Sequence, residues 1–525
     1  MGADAAIVNS PTPTKTRRAP AQSLTRSASL TAAASLLDYG VKIAVGLIVT
    51  PILVSGLGRA MYGVWEMLAR LGSYVSATDG RPTEALRLVI AQRQGDPDLP
   101  AKRRYVGAAL TIWVFVLPLV IILSTVFALW LAPALTNAPP ELRGQVQLTC
   151  ALIAICFILT SLGSVPESVL RGTNLGYKRM GLQSGLNILG GALAAGSVYI
   201  GMGITGLGAS QLVRGIVTGI CFVVLTRHYV PWFGIERPRW DEVKQLFGVS
   251  AWLTAGDAIA KLMLASDVLI LGAVVGPALV TTYALSGYAA RTAIGIHVFA
   301  AGAAIPGLGG VLGRGQMERA ARTRAEMLVL TWLFVTVVGA TVLLWNRSFM
   351  ALWVGPEHYA GAVANLLIIL VAAQTAFIRT DSYIIDAALR PKQRVLVSAI
   401  AAVLTIVLSI VLAKAYGIVG LCAGMLAGRL TQTIAYPLLA RTSLGITLQG
   451  SAARGLRLSV VTAALFAGAA VFGDRLIAPS WVLFIVGVPL SALLILAVSL
   501  ATGPGAEARQ MLMRRLRSMR PGARG

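Results

Sequence analysis

Charged residues stand inside apolar runs of this chain, and they recur in order at almost constant spacing. Asp38 and Lys42, four residues apart, return as Asp257 and Lys261, 219 positions later. Glu167 and Arg171 return as Asp386 and Arg390 at the same interval, and Tyr62 and Arg70 return as Tyr283 and Arg291 at 221. The stretch Gly203-Ile-Thr-Gly-Leu-Gly-Ala returns as Gly417-Ile-Val-Gly-Leu-Cys-Ala, each followed by an arginine within the apolar run, Arg214 and Arg429. Ordered matches of this kind indicate a duplicated half. An ion in hydrocarbon costs several kcal/mol, so a charge present in both halves marks a candidate site.

Residues four apart share a helix face, so Asp38/Lys42, Glu66/Arg70 and Asp257/Lys261 are expected to pair. Tyr62, Glu66 and Arg70 form one polar stripe. With Arg214, Arg291, Arg379 and Arg429 the cations fall on helices of both halves, and the acids available within apolar runs are Asp38, Glu66, Asp257, Asp267 and Asp381. Lipid cannot solvate these groups, so they are expected to converge on an interior cavity. Arg291 has no acid three or four residues away. Such a guanidinium invites an anion, and its planar fork suits a phosphate through two parallel hydrogen bonds. Lys42, Arg70, Lys261 and Arg291 are therefore the expected contacts of an anionic head group. Asp38, Glu66, Asp257, Asp267, Arg379 and Asp381 are the candidates for gating or for coupling to a proton or sodium ion. Glu167/Arg171 and Asp386/Arg390 lie near helix ends, where they read as structural pairs.

Other chemistry finds little support. No Gly-x-x-x-x-Gly-Lys-Ser/Thr loop exists, so ATP hydrolysis is not expected to power this chain, and no cofactor is implied. His228, His297 and His358 are scattered, and Cys150, Cys156, Cys221 and Cys422 lie in apolar runs as packing residues, so no metal site is expected. Gly307-Leu-Gly-Gly-Val-Leu-Gly313 reads as close helix packing rather than a phosphate cradle. No paired acids face the far side of the membrane, so no catalytic residue is assigned.

The elements that must position the charges are membrane helices. Of 525 residues, 56% are hydrophobic and 13% charged, with mean hydropathy +0.75; such a composition describes a polytopic membrane protein. About fourteen spans fit, near 30–57, 61–80, 106–132, 146–170, 181–202, 204–229, 247–275, 278–311, 326–352, 361–388, 395–415, 417–440, 456–476 and 480–502. The fold class expected is all-α: two parallel six-helix repeats around a central cavity, plus two C-terminal helices. The divisions are a disordered basic tail over 1–29, bundles over 30–240 and 241–445, two added helices over 446–502, and a basic tail over 503–525. An even offset of six helices gives both halves one orientation, related by an axis along the membrane normal.

Cations cluster in alternate loops, as in Arg93/Lys102/Arg103/Arg104, Lys178/Arg179, Arg237/Arg239/Lys244 and Arg314/Arg319/Arg322/Arg324, whereas the opposite loops hold about one each. Both termini are thus expected in the cytoplasm. The net charge of +24 then faces anionic lipid, and nucleic acid is not needed as a partner. Glu84–Gln94 and Ala506–Arg520 read as in-plane amphipathic helices.

Leu57-Gly58-Arg-Ala-Met-Tyr62-Gly63-Val-Trp65 resembles the Leu-Gly-x-x-x-Tyr-Gly-x-Trp stretch of bacterial polysaccharide flippases, the Wzx-type members of the multidrug/oligosaccharidyl-lipid/polysaccharide exporter superfamily. Asp79-Gly80 before a basic segment, and Ser266-Asp267-Val-Leu-Ile-Leu-Gly272 followed by Tyr283, resemble it too. The resemblance implies two bundles in a V around a cationic cavity. It implies alternating access that moves an undecaprenyl-pyrophosphate-linked oligosaccharide across the bacterial cytoplasmic (inner) membrane. Arg70 and Arg291 match the placement of cavity cations in related lipid II flippases. The chain departs from that pattern where Lys42 replaces an arginine and where Asp38 and Glu66 offset charge. Assembly proteins such as a polysaccharide polymerase are implied partners. The alternatives are a lipid II-type peptidoglycan precursor flippase, a cation-coupled multidrug exporter, and, in another class, a membrane-embedded glycan enzyme or an inactive scaffold.

Reporter fusions made after Arg239, Arg322 and Arg517 should all report the cytoplasm. One outside signal at any of these points would break both the loop-charge reading and the repeat register.

Overall fold

The computed structural model describes residues 21–75, 81–137, 140–179, 181–302, 305–388, 391–445 and 452–503. The expectations for residues 1–20, for Asp79-Gly80, for Arg390, for the tail with its 506–520 amphipathic stretch, and for the Asp257 side chain lie outside the described residues.

Every regular element among the described residues is helical. α1 (Ala21–Val75) starts just after Pro20, the last proline of the basic tail, so residues 21–29 are helical rather than disordered. It comprises two apolar stretches joined at Gly58, whose φ of 75° breaks the helix. α2 (Pro82–Gln92) is short. α3 (Leu99–Val126), capped by the Asp98 carboxylate accepting from the Ala101 amide, continues through a π-helical turn over Phe127–Leu131 into α4 (Ala132–Leu135). α5 (Pro140–Gly172), α6 (Leu182–Tyr199) and α7 (Gly203–Tyr229) follow. The second half runs through α8 (Trp240–Val274), α9 (Pro277–Ser286), α10 (Tyr288–Gly302), α11 (Ile305–Gly313), α12 (Met317–Trp353) and α13 (Ala362–Ala387). α14 (Pro391–Gly428), bent at Gly417, leads to α15 (Leu430–Leu444), and α16 (Ala452–Arg475) and α17 (Trp481–Thr502) are last.

Nine segments among the described residues are long and apolar enough to cross a membrane; two of these, Ser35–Tyr74 and Gln393–Leu444, contain the bends at Gly58 and Gly417. The chain is therefore an all-α multi-pass membrane protein, and the count of fourteen stays an expectation of the sequence. The span expected over 278–311 is broken into α9, α10 and α11, with Gly287 between the first two. The Gly307–Gly313 run lies within α11. The repeat shows in the backbone as well. Gly58 and Gly276 both take positive φ at corresponding turns, as do Gly203 and Gly417, conformations in which a side chain is strained.

Three helices of the first half share a core with the start of α8, in which Leu86 and Ile90 of α2 meet Val106 of α3, Val169 of α5 and Leu246 of α8. The amphipathic face of α2 is thus buried against protein rather than laid in the lipid interface. Further along α8, Val268 and Leu271 join a second core with Ala413, Leu421 and Cys422 of α14 and Phe466 of α16. α8 therefore begins packed on the first half and ends packed on the second. A mixed cluster joins the halves near the Gly58 turn, where Leu53, Val54 and Tyr62 meet Leu285, Met350 and Trp353. There Gly63 lies so close to the Pro277 carbonyl that a methyl group would collide with it.

Ion pairs fix several helices, with partners that differ from those expected. Arg171 meets Glu84 of α2 at 3.5 Å, and Glu167 takes Arg179. Asp386 accepts from Arg394 of α14 at 2.7 Å. Arg324, assigned by the sequence to a loop, is buried in α12 and pairs with Asp381 of α13 at 2.8 Å. The helical pattern simply extends nine residues before the apolar run that marked the span.

Removing one partner of a buried pair leaves a bare charge and costs about 3–5 kcal/mol, whereas apolar replacement of both is often neutral. Asp381→Ala should therefore lower the thermal midpoint of the purified protein sharply, and Arg324→Met combined with Asp381→Leu should restore most of it. Equal stability of the single variant and the parent would show that the pair holds nothing.

Candidate functional site

The polar stripe on α1 continues across the Gly58 turn. Lys42, Gly46 and Thr50 share one face before it, and Tyr62, Glu66 and Arg70 share one face after it. Facing them across the boundary between the halves are Ala284 and Leu285 of α9 and Tyr288, Arg291 and Thr292 of α10. Together with Tyr39 and Ile43 these residues enclose a cavity of about 380 Å³. Lys42, Arg70 and Arg291 lie 12 to 16 residues along their helices from the Gly58 or Gly276 turn, a rise of roughly 18–24 Å at 1.5 Å per residue. The three cations thus reach one level from two halves.

Their bonding differs. Lys42 is exposed to the cavity and Arg70 is half-buried, and neither side chain has a hydrogen-bond or ion-pair partner among the described residues. Arg291 donates to the Ala284 carbonyl, and its guanidinium lies 5.8 Å from the centre of the Tyr283 ring. Glu66 accepts from the Tyr62 hydroxyl at 3.1 Å instead of pairing with Arg70. Asp38 turns away from Lys42 and accepts from Ser184 of α6 at 2.6 Å, which ties α1 to its neighbour.

Two tyrosines cross the boundary reciprocally. Tyr39 of α1 donates to the Thr292 carbonyl at 2.9 Å and lies over Gly295, while Tyr288 of α10 donates to the Ile43 carbonyl at 3.2 Å and lies over Gly46. A methyl group at either glycine would collide with the tyrosine. Towards the Gly58 turn, Trp353 donates to the Leu47 carbonyl at 2.7 Å. At the turn itself Arg59 donates to the Ala278 carbonyl and the Thr282 hydroxyl, and the Thr281 hydroxyl donates back to the Arg59 carbonyl.

The remaining candidates lie elsewhere. Lys261 is half-buried on α8 and does not line this cavity. Arg214 packs its stem on Gly190 of α6. Arg429 is buried and donates to the Thr375 hydroxyl at 2.9 Å. Asp267 accepts from Tyr283 at 2.7 Å inside the second half, and Arg379 is half-buried on α13. Convergence of every intramembrane charge on one cavity is therefore not what the structure shows: within the second half Arg429 donates to a hydroxyl and Asp381 is paired with Arg324. Sequence reasoning also passed over Tyr39, Tyr288, Thr50 and Arg59. The signal for two of them was present, since Tyr39 precedes Lys42, and Tyr288 precedes Arg291, by three residues, one helical turn. Arg59 carried no signal, because its partners are backbone and hydroxyl groups 219 or more residues away. Among the described residues no cluster of His, Cys, Asp and Glu would hold a metal ion.

Comparison with known proteins narrows the reading. Residues 102–298 match the family model described as "Polysaccharide biosynthesis protein". No protein of curated function matches the chain in sequence. Among solved structures, the lipid II flippase MurJ in an inward closed conformation superposes with a TM-score of 0.68 at 11% identity, covering 93% of this chain and 99% of that one. A multidrug resistance MATE family transporter of the MOP superfamily superposes with a TM-score of 0.59 when inward-facing and 0.53 when outward-facing, both at 14% identity. The inward-facing match covers 78% of this chain and 94% of that one, the outward-facing match 80% and 96%. The chain has the fold of these transporters, and over residues 102–298 it matches a polysaccharide biosynthesis family model.

A cavity side chain and a packed one differ in reach to aqueous reagents. With the four native cysteines replaced, Arg70→Cys and Arg291→Cys should react with a small charged thiol reagent in membranes, and Arg429→Cys should stay unmodified. Rapid labelling at position 429, or none at 70 and 291, would contradict the cavity as described.

Proposed function

We propose that this chain is a flippase for a lipid-linked oligosaccharide, with the anionic head group held by Lys42, Arg70 and Arg291. The observation that carries the reading is the meeting of these three cations, from both halves, in one cavity where Lys42 and Arg70 have no hydrogen-bond or ion-pair partner among the described residues. An undecaprenyl diphosphate diester carries two negative charges, and moving it bare through hydrocarbon costs far more than thermal energy supplies. Charge-assisted hydrogen bonds, about 1.5–3 kcal/mol each, offset that cost. The Tyr39, Tyr288, Trp353 and Arg59 contacts would break and re-form as the halves rock about the site.

In this reading the protein lies in the cytoplasmic membrane, crosses it fourteen times and keeps both termini inside. Asp381 is held by Arg324, which leaves Asp257 and Asp267 as the acidic coupling candidates in the second half. A surface-polysaccharide repeat unit is the substrate favoured by the family match. A peptidoglycan precursor is the second reading, favoured by the extent of the match to the lipid II flippase. A multidrug exporter, for which a net-acidic or apolar cavity is expected, fits the three cations poorly.

In a strain lacking the gene, complementation by Arg291→Ala should fail to restore surface glycan at normal membrane abundance. Arg291→Lys should restore part of it, since charge survives without the bidentate fork. Arg322→Ala, at an exposed position, should be close to the parent. Normal export by Arg291→Ala would remove this arginine from the head-group site.

A further inference from the structure

Residues 230–239 join α7 of the first half to α8, and they are held along α3. Arg103 of α3 donates to the Trp232 carbonyl at 2.8 Å, and the Glu236 amide donates to the Arg103 carbonyl at 3.4 Å. The Arg103 guanidinium also stands 3.6 Å from the Glu236 carboxylate. Gly107, one turn further along α3, lies so close to the Glu236 carbonyl that a methyl group would collide with it. Beside that contact α3 and the linker enclose a groove of about 390 Å³, within the roughly 300–1,000 Å³ of small-molecule sites. Val114, Phe115 and Ile235 make its apolar walls, and Phe115 and Ile235 are 69% and 68% exposed. Arg237 is exposed in the lining and has no hydrogen-bond or ion-pair partner among the described residues. Glu236, the one acid in the lining, is taken by Arg103.

We propose that this groove holds an anionic glycerophospholipid of the surrounding membrane, with its phosphate on Arg237 and an acyl chain along Val114, Phe115 and Ile235. The site is separate from the cavity between the halves, and the proposal does not rest on the flippase reading. The span expected on α3 begins at residue 106, so Gly107 stands at the membrane boundary. From there to Phe115 the helix rises roughly 12 Å, the depth over which a head group gives way to its chains. Exposed apolar walls at that depth are covered by acyl chains, and a guanidinium at their edge receives a phosphodiester through charge-assisted hydrogen bonds. A zwitterionic head group would bring an ammonium as well, and the acid that could receive it already holds Arg103. A lipid seated here touches α3 and the linker together and so fastens the connection between the halves. The same end of α3 goes on to hold α8, through Arg104 to Glu242 at 2.8 Å and Tyr105 to Gln245 at 2.7 Å.

Phosphatidylglycerol and phosphatidylethanolamine with identical chains are the probes. Each is titrated into the purified full-length protein in neutral detergent, and bound lipid is counted by native mass spectrometry. The parent should hold phosphatidylglycerol about tenfold more tightly than phosphatidylethanolamine, the worth of one charge-assisted bond. Arg237→Gln should abolish that preference, and Arg237→Lys should keep part of it. Val114→Trp, which fills the groove at an exposed position and keeps the charge, should weaken binding of both lipids. Arg322→Gln, remote and exposed, should match the parent. Saturating phosphatidylglycerol should also slow amide exchange over residues 230–239 in the parent and leave it unchanged in Arg237→Gln. Equal loss of preference in Arg237→Gln and Arg322→Gln would reduce the effect to general surface charge and overturn the site. Unslowed exchange in the lipid-saturated parent would put the lipid elsewhere, and unchanged binding by Val114→Trp would remove it from the groove.

Discussion

Hydrocarbon offers an ion no solvent, and the internal charges of this protein meet that constraint in different ways. Some are neutralised in pairs, as Arg324 is by Asp381 between α12 and α13. Some are given to hydroxyls, as Asp38 is to Ser184 and Arg429 to Thr375. A third group, Lys42, Arg70 and Arg291, is gathered around a cavity between the halves. The first two solutions fasten helices to one another within a half. The third lines a cavity at the boundary where the two halves meet.

The helical layout follows that boundary. α8 packs its beginning on the first half through Val243 and Leu246 and its end on the second through Val268 and Leu271. It is a strut common to both cores. Gly58 and Gly276, at corresponding turns, bring α1, α9 and α10 back along the same boundary from opposite sides. The duplication thus acts as geometry: one turn, used twice, delivers Arg70 and Arg291 to one level.

Much of this was legible in the residues, because the cost of a charge in lipid is a one-body property and needs no partner to be read. The spans, the repeat and the arginines of the cavity came from it. Pairing was less legible. Helical spacing suggested Asp38 with Lys42, Glu66 with Arg70 and Glu167 with Arg171, and in each case a partner on another element or a tyrosine one turn away took precedence. The reason is that an i,i+4 pair on a helix is worth only a few tenths of a kcal/mol, so any better-placed donor displaces it. Arg324 was misplaced because hydropathy locates apolar runs, not the ends of the helices that contain them. The burial of α2 was hidden for a related cause: an amphipathic face looks the same whether lipid or protein covers it.

The contacts between the halves carry a consequence of their own. Tyr39, Tyr288, Trp353 and Arg59 all donate across the boundary to main-chain carbonyls: those of Thr292, Ile43, Leu47 and Ala278. A carbonyl has two lone pairs, and one inside a helix keeps its helical bond when the second donor leaves. Only the donors then need new partners, and water entering an opened cleft supplies them. Four such bonds, at a net of about 0.5–1.5 kcal/mol each, amount to roughly 2–6 kcal/mol, about the size of two charge-assisted bonds to a bound anion. In the flippase reading proposed above, closure and ligand would thereby be matched in energy. Because the acceptors are backbone, these four bonds do not depend on which side chains the acceptor residues carry.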